Sequence, residues 1–263
     1  MSVRGTRLPV AMRAAALLAA SFFLLPLLGL AWRLPWARLG ELVVGDEVRA
    51  ALWLSLQSSC FAALACLGFG LPLAAWLAAG VSRGRTCVRV LVTLPMVLPP
   101  VVGGVALLLA YGRNGLVGAP LDAWLGASLP FSTAAVVLAS TYVAMPFFVL
   151  TVEGGLRGFD RRYADAAASL GAGPWRVFGT VTLPMIAPTL RAGLLVAWAR
   201  ALGEFGATIT FAGNLAGTTR TLPLAVYVAL ESDPDAAIFL SLLLVGVAAA
   251  VLFALRRQWF PNA

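Results

Sequence analysis

The sequence predicts an all-α membrane protein, a single domain over residues 1–263 built as one bundle of about six transmembrane helices. Three observations predict it. Of 263 residues, 61% are apolar and 11% are charged, against about 25% charged in an average soluble domain. Mean hydropathy is +0.92. Several uncharged runs exceed the roughly 18 residues that mark a membrane-spanning helix.

The first span, 14–32, follows Arg4, Arg7 and Arg13. Its flank, "AWRLPWARLG", offers a poor small-x-small cleavage site, so an uncleaved anchor is expected rather than a signal peptide. The second span lies within 50–82, the third covers 90–111, the fourth 133–152, the fifth 192–212 and the sixth 236–255. Each can cross roughly 30 Å of hydrocarbon at about 1.5 Å per residue. The third contains "LPMVLPPVVGG", with Pro95, Pro99, Pro100, Gly103 and Gly104. Each proline removes a backbone donor and crowds the preceding turn, so this helix is expected to kink or move. The fifth span alone carries charges, Arg200 and Glu204. Arg200, Gly203, Glu204, Ala207 and Thr208 are expected on one helical face. Ionisable groups in a span face the bundle interior or an aqueous path. With the hydroxyls of Thr208 and Thr210 they are candidates for a translocation path; a purely structural Arg200–Glu204 pair is the alternative.

The net charge is +8, and every basic residue is arginine, with no histidine. Twelve arginines (4, 7, 13, 83, 85, 89, 157, 161, 162, 176, 256 and 257) fall on one side of the predicted topology, and five (33, 38, 49, 113 and 220) on the other. The arginine-rich side is the cytoplasmic one by the positive-inside rule, which predicts both termini in the cytoplasm. No basic stripe with interleaved aromatics is present, which argues against nucleic-acid binding. Cys60 and Cys66 read as small hydrophobes, and without histidine or paired cysteines a metal site has few ligands. Ser58, Ser59, Glu204 and Asp165 lack the His or Lys partner that a nucleophile needs, which argues against an enzyme. An ion-coupled secondary transporter would need paired half-helices with ionisable groups, and only one charged span is visible.

The predicted cytoplasmic segment 156–187 interrupts this oily chain. Asp160 is a good N-cap for a helix from Arg161. Gly171 can end that helix in the left-handed conformation. Pro174 suits the first turn of a second helix through about Thr182. Pro184 and Pro188 are then expected to break the chain before the fifth span. Small residues (Ala164, Ala166, Ala167, Ala168) and an apolar group (Trp175, Val177, Phe178) fit either docking against a partner or an amphipathic helix on the membrane.

The run "DAAASLGAGPWRVFGTVTLP" resembles the cytoplasmic EAA motif of ABC-importer permeases: Glu-Ala-Ala, three residues, Gly, nine residues, Ile-x-Leu-Pro. Asp165, Ala166 and Ala167 hold the first positions, with Asp for Glu. Gly171, Val181, Leu183 and Pro184 follow at the motif's spacing, with Val for Ile. The resemblance implies a type I ABC-importer permease-like bundle, in which this loop forms the coupling helix seated on an ATP-hydrolysing subunit. The chain has no GxxxxGK[ST] loop of its own, so ATP and Mg would be bound by that partner.

The run "ARALGEFGATITFAGNLAGTTRTLPLAVYVAL", with "YGRNGLVG" and "LPMVLPPVVGG", resembles the permeases of molybdate ABC importers. Sulfate permeases, which share "GEFG", are the alternative. This resemblance covers roughly Leu91 to the C-terminus. It implies a homodimer of this chain with two ATPase subunits, and a binding protein that delivers the oxyanion from outside. Molybdate and tungstate are not separated by these residues. A bacterial cytoplasmic membrane is the expected location.

Overall fold

A computed structural model describes residues 9–126 and 128–254. Arg4, Arg7, Arg256 and Arg257 of the arginine asymmetry, and Leu255 of the sixth span, lie outside the described residues. In chain order the helices are α1 (Val10–Trp32), α2 (Leu39–Val44), α3 (Asp46–Ala78), α4 (Arg83–Val97), α5 (Pro100–Tyr111) and α6 (Gly118–Leu125). They continue as α7 (Thr133–Gly158), α8 (Arg162–Ser169), α9 (Pro174–Leu202), α10 (Gly206–Phe211), α11 (Leu222–Ser232) and α12 (Pro234–Ala254). Five of them, α1, α3, α7, α9 and α12, are long and apolar enough to cross a membrane.

The third span is not one helix. Leu98 and Pro99 are extended, with ψ of 138° and 132°, and they separate α4 from α5. The cause is the Pro99–Pro100 pair, because each proline disfavours the helical conformation in the residue before it, and two in succession act on Leu98 and Pro99 together. Pro100 then opens α5, where its missing N–H costs nothing. Neither α4, 15 residues, nor α5, 12 residues, reaches the roughly 20 residues that cross a bilayer alone.

The fifth span is also corrected. Pro184 and Pro188 do not break the chain: α9 runs from Pro174 through both to Leu202. A widened π-turn, Phe178–Thr182, precedes Leu183–Pro184. The same device, Cys66–Gly70, precedes Leu71–Pro72 in α3. The wider turn makes room for a ring that would otherwise strike the carbonyl four residues back. The real break comes later, at Gly203–Phe205, before α10.

α7 is the central helix. Ala135, Val136, Ala139, Val143, Phe148, Val149 and Val152 are all buried at helical spacing, and α3 and α9 pack against it. The fit at α3 depends on Gly70, whose absent Cβ would lie 2.7 Å from the Phe148 ring. By contrast, α1 buries none of its residues and touches the bundle through α12.

At the end opposite α8, Arg38 clasps the α11–α12 turn. Its Nη1 and Nη2 donate to Asp233 at 3.0 and 2.8 Å. Asp233 Oδ1 also accepts from the Ala236 N–H at 3.1 Å, capping α12. The Arg38 hydrogen bonds, with that backbone bond, hold the Asp233 carboxyl below the usual carboxylate range.

Gly70→Val should crowd Phe148 and destabilise the bundle by about 1–3 kcal/mol, read as a lowered melting temperature in detergent. Because the folded Asp233 carboxyl titrates below its unfolded value, its contribution is present above the ordinary carboxylate pKa of about 4. The contribution is lost as pH falls through the lowered value. Asp233→Asn should therefore lower the melting temperature at neutral pH, and the gap from wild type should close in strong acid. An equal gap at every pH would count against the ion pair.

Candidate functional site

The two helix breaks face each other. A Cβ on Gly206, at the start of α10, would lie 2.7 Å from Pro100 Cβ and 3.2 Å from the Val101 nitrogen. A Cβ on Gly104 of α5 would collide with the Thr210 hydroxyl and lie 2.9 Å from the Ala207 carbonyl oxygen. Only glycine allows the two short helices to approach this closely.

The second break carries the charges. Glu204 is buried, and its Oε1 accepts from the Ala207 N–H at 2.8 Å, closing the first turn of α10. Arg200 Nη1 lies 2.8 Å from Glu204 Oε2. This approach is a charge contact rather than an aligned hydrogen bond, since Oε2 has no hydrogen-bond partner. The expected single helical face from Arg200 to Thr208 is therefore not formed. Gly203 ends α9, and the pair closes across the break instead of along a helix. Thr208 is fully buried and its hydroxyl has no hydrogen-bond partner. Thr210 is half-buried, and its hydroxyl donates to the Gly206 carbonyl at 2.9 Å. Interrupted backbone at this depth is tolerated where it is buried in protein or lines an aqueous path.

The runs flanking the breaks have structural duties. In "YGRNGLVG", the Leu116 and Val117 N–H groups donate to the Leu109 and Ala110 carbonyls at 3.2 and 2.8 Å, capping α5. In "FAGN…TRTLP", Arg220 Nε donates to Asn214 Oδ1 at 2.9 Å, and the Leu215 N–H donates to Thr219 Oγ1 at 2.8 Å.

The helix–turn–helix forms as expected at its centre. Asp160 Oδ1 accepts from the Arg162 N–H at 3.0 Å. Gly171 has φ +86°. The Ala172 and Gly171 N–H groups donate to the Ala167 and Ala168 carbonyls at 3.1 and 2.9 Å, a Schellman ending. Tyr163, Leu170 and Trp175 project outward, the last two 90% and 87% exposed. Asp165, Ala166 and Pro184 are exposed; Ala167, Val181 and Leu183 are half-buried. Asp165, Ala164, Phe178 and Thr182 face the end of α3 (Ala75, Ala78, Ala79) across a cleft of about 250 Å³.

Sequence reasoning missed Glu153. It is buried and accepts from Arg89 Nε and Nη2 at 3.1 and 2.6 Å. Arg157 Nη2 is 2.8 Å from the same carboxylate. The fourth span was expected to stop at Val152, one residue short, whereas α7 runs to Gly158. The available signal was the i, i+4 spacing of Glu153 and Arg157.

A bundle with two apposed helix breaks and a projecting helix–turn–helix is the architecture of a transport permease. The chain belongs to the family of binding-protein-dependent transport system inner membrane components, whose match covers residues 70–260. It is 49% identical over 233 residues to the molybdenum transport system permease protein ModB of Mycobacterium bovis, covering 88% of this chain and 87% of that one. It is 38% identical over 221 residues to ModB of Escherichia coli, covering 84% and 96%. In fold it resembles the crystal structure of a bacterial ABC transporter that imports the acidic polysaccharide alginate, with a TM-score of 0.72, 20% identity and 96% of each chain covered. It also resembles the inward-facing MetNI methionine ABC transporter, with a TM-score of 0.62, 18% identity, and 79% and 92% covered. The chain is thus a transport component of the inner membrane rather than an enzyme.

Glu204→Gln keeps an acceptor for the Ala207 N–H and removes the charge; Glu204→Ala removes both. The Ala variant should lose about 1 kcal/mol of stability and the Gln variant less, by melting temperature. If the charge serves transport, both should slow uptake. Wild-type uptake in the Gln variant would leave Glu204 a cap alone.

Proposed function

We propose that this chain forms the translocation path of an ATP-driven molybdate importer in the bacterial cytoplasmic membrane. The observation that carries the reading is the identity to two molybdenum permeases, 49% and 38% over more than four-fifths of the chain. No observation favours sulfate, the alternative substrate.

In this reading two copies of the chain pair around the path, and two ATPase subunits bind from the cytoplasm, with both termini on that side. Tyr163, Leu170 and Trp175 supply the apolar contact, and the left-handed Gly171 sets the angle between α8 and α9. Asp165 and its neighbours Ala166 and Ala167 approach the ATPase, while Val181, Leu183 and Pro184 join the loop to the bundle. ATP and Mg are held by the ATPase, and its closure supplies the work. A binding protein presents the oxyanion from outside.

The path residues suit a dianion that must pass without being trapped. Arg200 is partly exposed and carries positive charge, but Glu204, 2.8 Å away, offsets it. The Thr208 hydroxyl is a donor without a partner in this conformation, and Thr210, two residues on, lies on another face of α10 and donates to the Gly206 carbonyl. A weak site of this kind leaves selection to the binding protein.

The test is uptake by cells with and without this chain at trace molybdate, with tungstate and sulfate as competitors. Loss of molybdenum accumulation, competed by tungstate and not by excess sulfate, is expected. Unchanged molybdenum with lost sulfate uptake would overturn the substrate. Gly171→Pro cannot adopt φ +86°, because proline holds φ near −65°. It should reduce uptake about fivefold or more while the protein remains in the membrane; normal uptake would overturn the coupling role of the loop.

A further inference from the structure

Glu153 and Glu204 are the two buried acidic residues among those described. Glu204 belongs to the helix break. Glu153 sits at the opposite end of the bundle, where four pieces of chain converge. Arg89 of α4 and Arg157 of α7 bind its carboxylate at 2.6 and 2.8 Å. The same guanidinium groups reach the Leu77 carbonyl at the end of α3, at 3.3 and 3.5 Å. Arg161, the residue before α8, reaches the Ala78 carbonyl at 3.5 Å. The last carbonyls of a helix carry partial negative charge and lack intrahelical partners. Two cations, Arg89 and Arg157, thus share one buried anion, and with Arg161 three share one helix end.

The knot matters because, apart from its packing on the first turns of α9, α8 is tied to the bundle through Arg161 at its entry. A cleft separates Ala164 and Asp165 from the end of α3, and no residue of α8 is buried. From Arg89, α4 then runs toward Leu98, where the chain breaks against α10.

We propose that Glu153 is a positioning residue that couples α8 to the helix breaks. With Arg89, Arg157 and Arg161 it locks the ends of α3 and α7, the middle of α4 and the entry to α8 into one body. Displacement of α8 is passed through Arg89 along α4 to the Leu98–Pro99 hinge, and so to the α5–α10 contact. The proposal rests on the reading that α8 docks an ATPase. It adds the linkage by which that docking reaches the path.

The experiment uses the assembled transporter, this chain with its ATPase and binding protein, in proteoliposomes supplied with molybdate and ATP. Wild type, Glu153→Gln, Glu153→Asp and Arg161→Gln are compared by ions imported per ATP hydrolysed. The Gln variant should continue to hydrolyse ATP while imported ions per ATP fall about fivefold or more. The Asp variant should recover part of the loss, and Arg161→Gln should show a smaller fall. Import and hydrolysis falling together, with their ratio unchanged in all variants, would overturn the proposal. Hydrogen exchange supplies a readout independent of substrate: amides of residues 90–98 and 159–171 should exchange faster in Glu153→Gln than in wild type. Unchanged exchange in both segments would overturn it too. If wild type imports no molybdate, the functional reading fails, and the exchange result alone decides the linkage.

Discussion

Inside a bilayer every backbone N–H and C=O must find a partner within the protein. A chain with 16 prolines and 26 glycines meets that constraint only by placing each interruption where something else can satisfy it. At α10 the partner is Glu204, which accepts from the Ala207 N–H. At α5 it is the Pro99 carbonyl, which accepts from the Val102 and Gly103 N–H groups at 2.9 and 3.2 Å. In α3 and α9 a π-turn absorbs the proline without ending the helix. The rest of the site follows. A buried carboxylate used as a cap needs a counter-charge, and Arg200 provides one. Two short helices that cannot span alone must lean on each other, so Gly104 and Gly206 lie at their contact.

The ion pairs divide by burial. Isolated charges are strongly disfavoured in a low-dielectric interior unless paired and hydrogen-bonded. Glu153 and Glu204 are each almost fully enclosed, so the geometry of their arginines is dictated rather than incidental. The Arg38–Asp233 clasp is a third exposed on both sides and competes with water. It holds the α2 loop to the α11–α12 turn, but the core beneath, Leu42, Ala51, Leu222, Ala237 and Leu240, is closed by apolar contact.

How much of this was legible in the sequence depended on range. The apolar runs located the helices, because the bilayer imposes a length on them. The Gly171 turn was legible because a left-handed helix ending is a local event with a local signature. Pro99–Pro100 announced irregularity, and the break falls on that pair. Pro184 misled, since proline alone does not distinguish a helix end from a helix that widens around it. The expectation of a continuous helix from Arg200 to Thr208 failed because Glu204 finds a better partner in a backbone N–H than in its own helix surface. Glu153 went unnoticed for a different reason. At the edge of an apolar run an acid reads as solvated, and its partner Arg89 lies 64 residues away. No local pattern reports a contact of that span.

The two broken helices share a second property that sequence order conceals. α9 joins the projecting helix–turn–helix covalently and carries on through its π-turn to the break at Gly203. α4 reaches it indirectly, since Arg89 bonds Glu153 and the Leu77 carbonyl while Arg161, at the entry to α8, bonds the next carbonyl of α3, and α4 carries on to the break at Leu98. Both arms therefore begin at the loop and end at the same apposed site. Leu183–Leu202 alone is 20 residues, or about 30 Å of helix, long enough to carry a displacement across the hydrocarbon. At the far end the arms meet through Pro100, Gly104 and Gly206, a surface with few side chains to interlock. Packed helices are held in register by ridges in grooves. Where glycine removes the ridge, sliding costs less, so a push at the loop is expressed at this contact before the better-packed α3–α7 core yields.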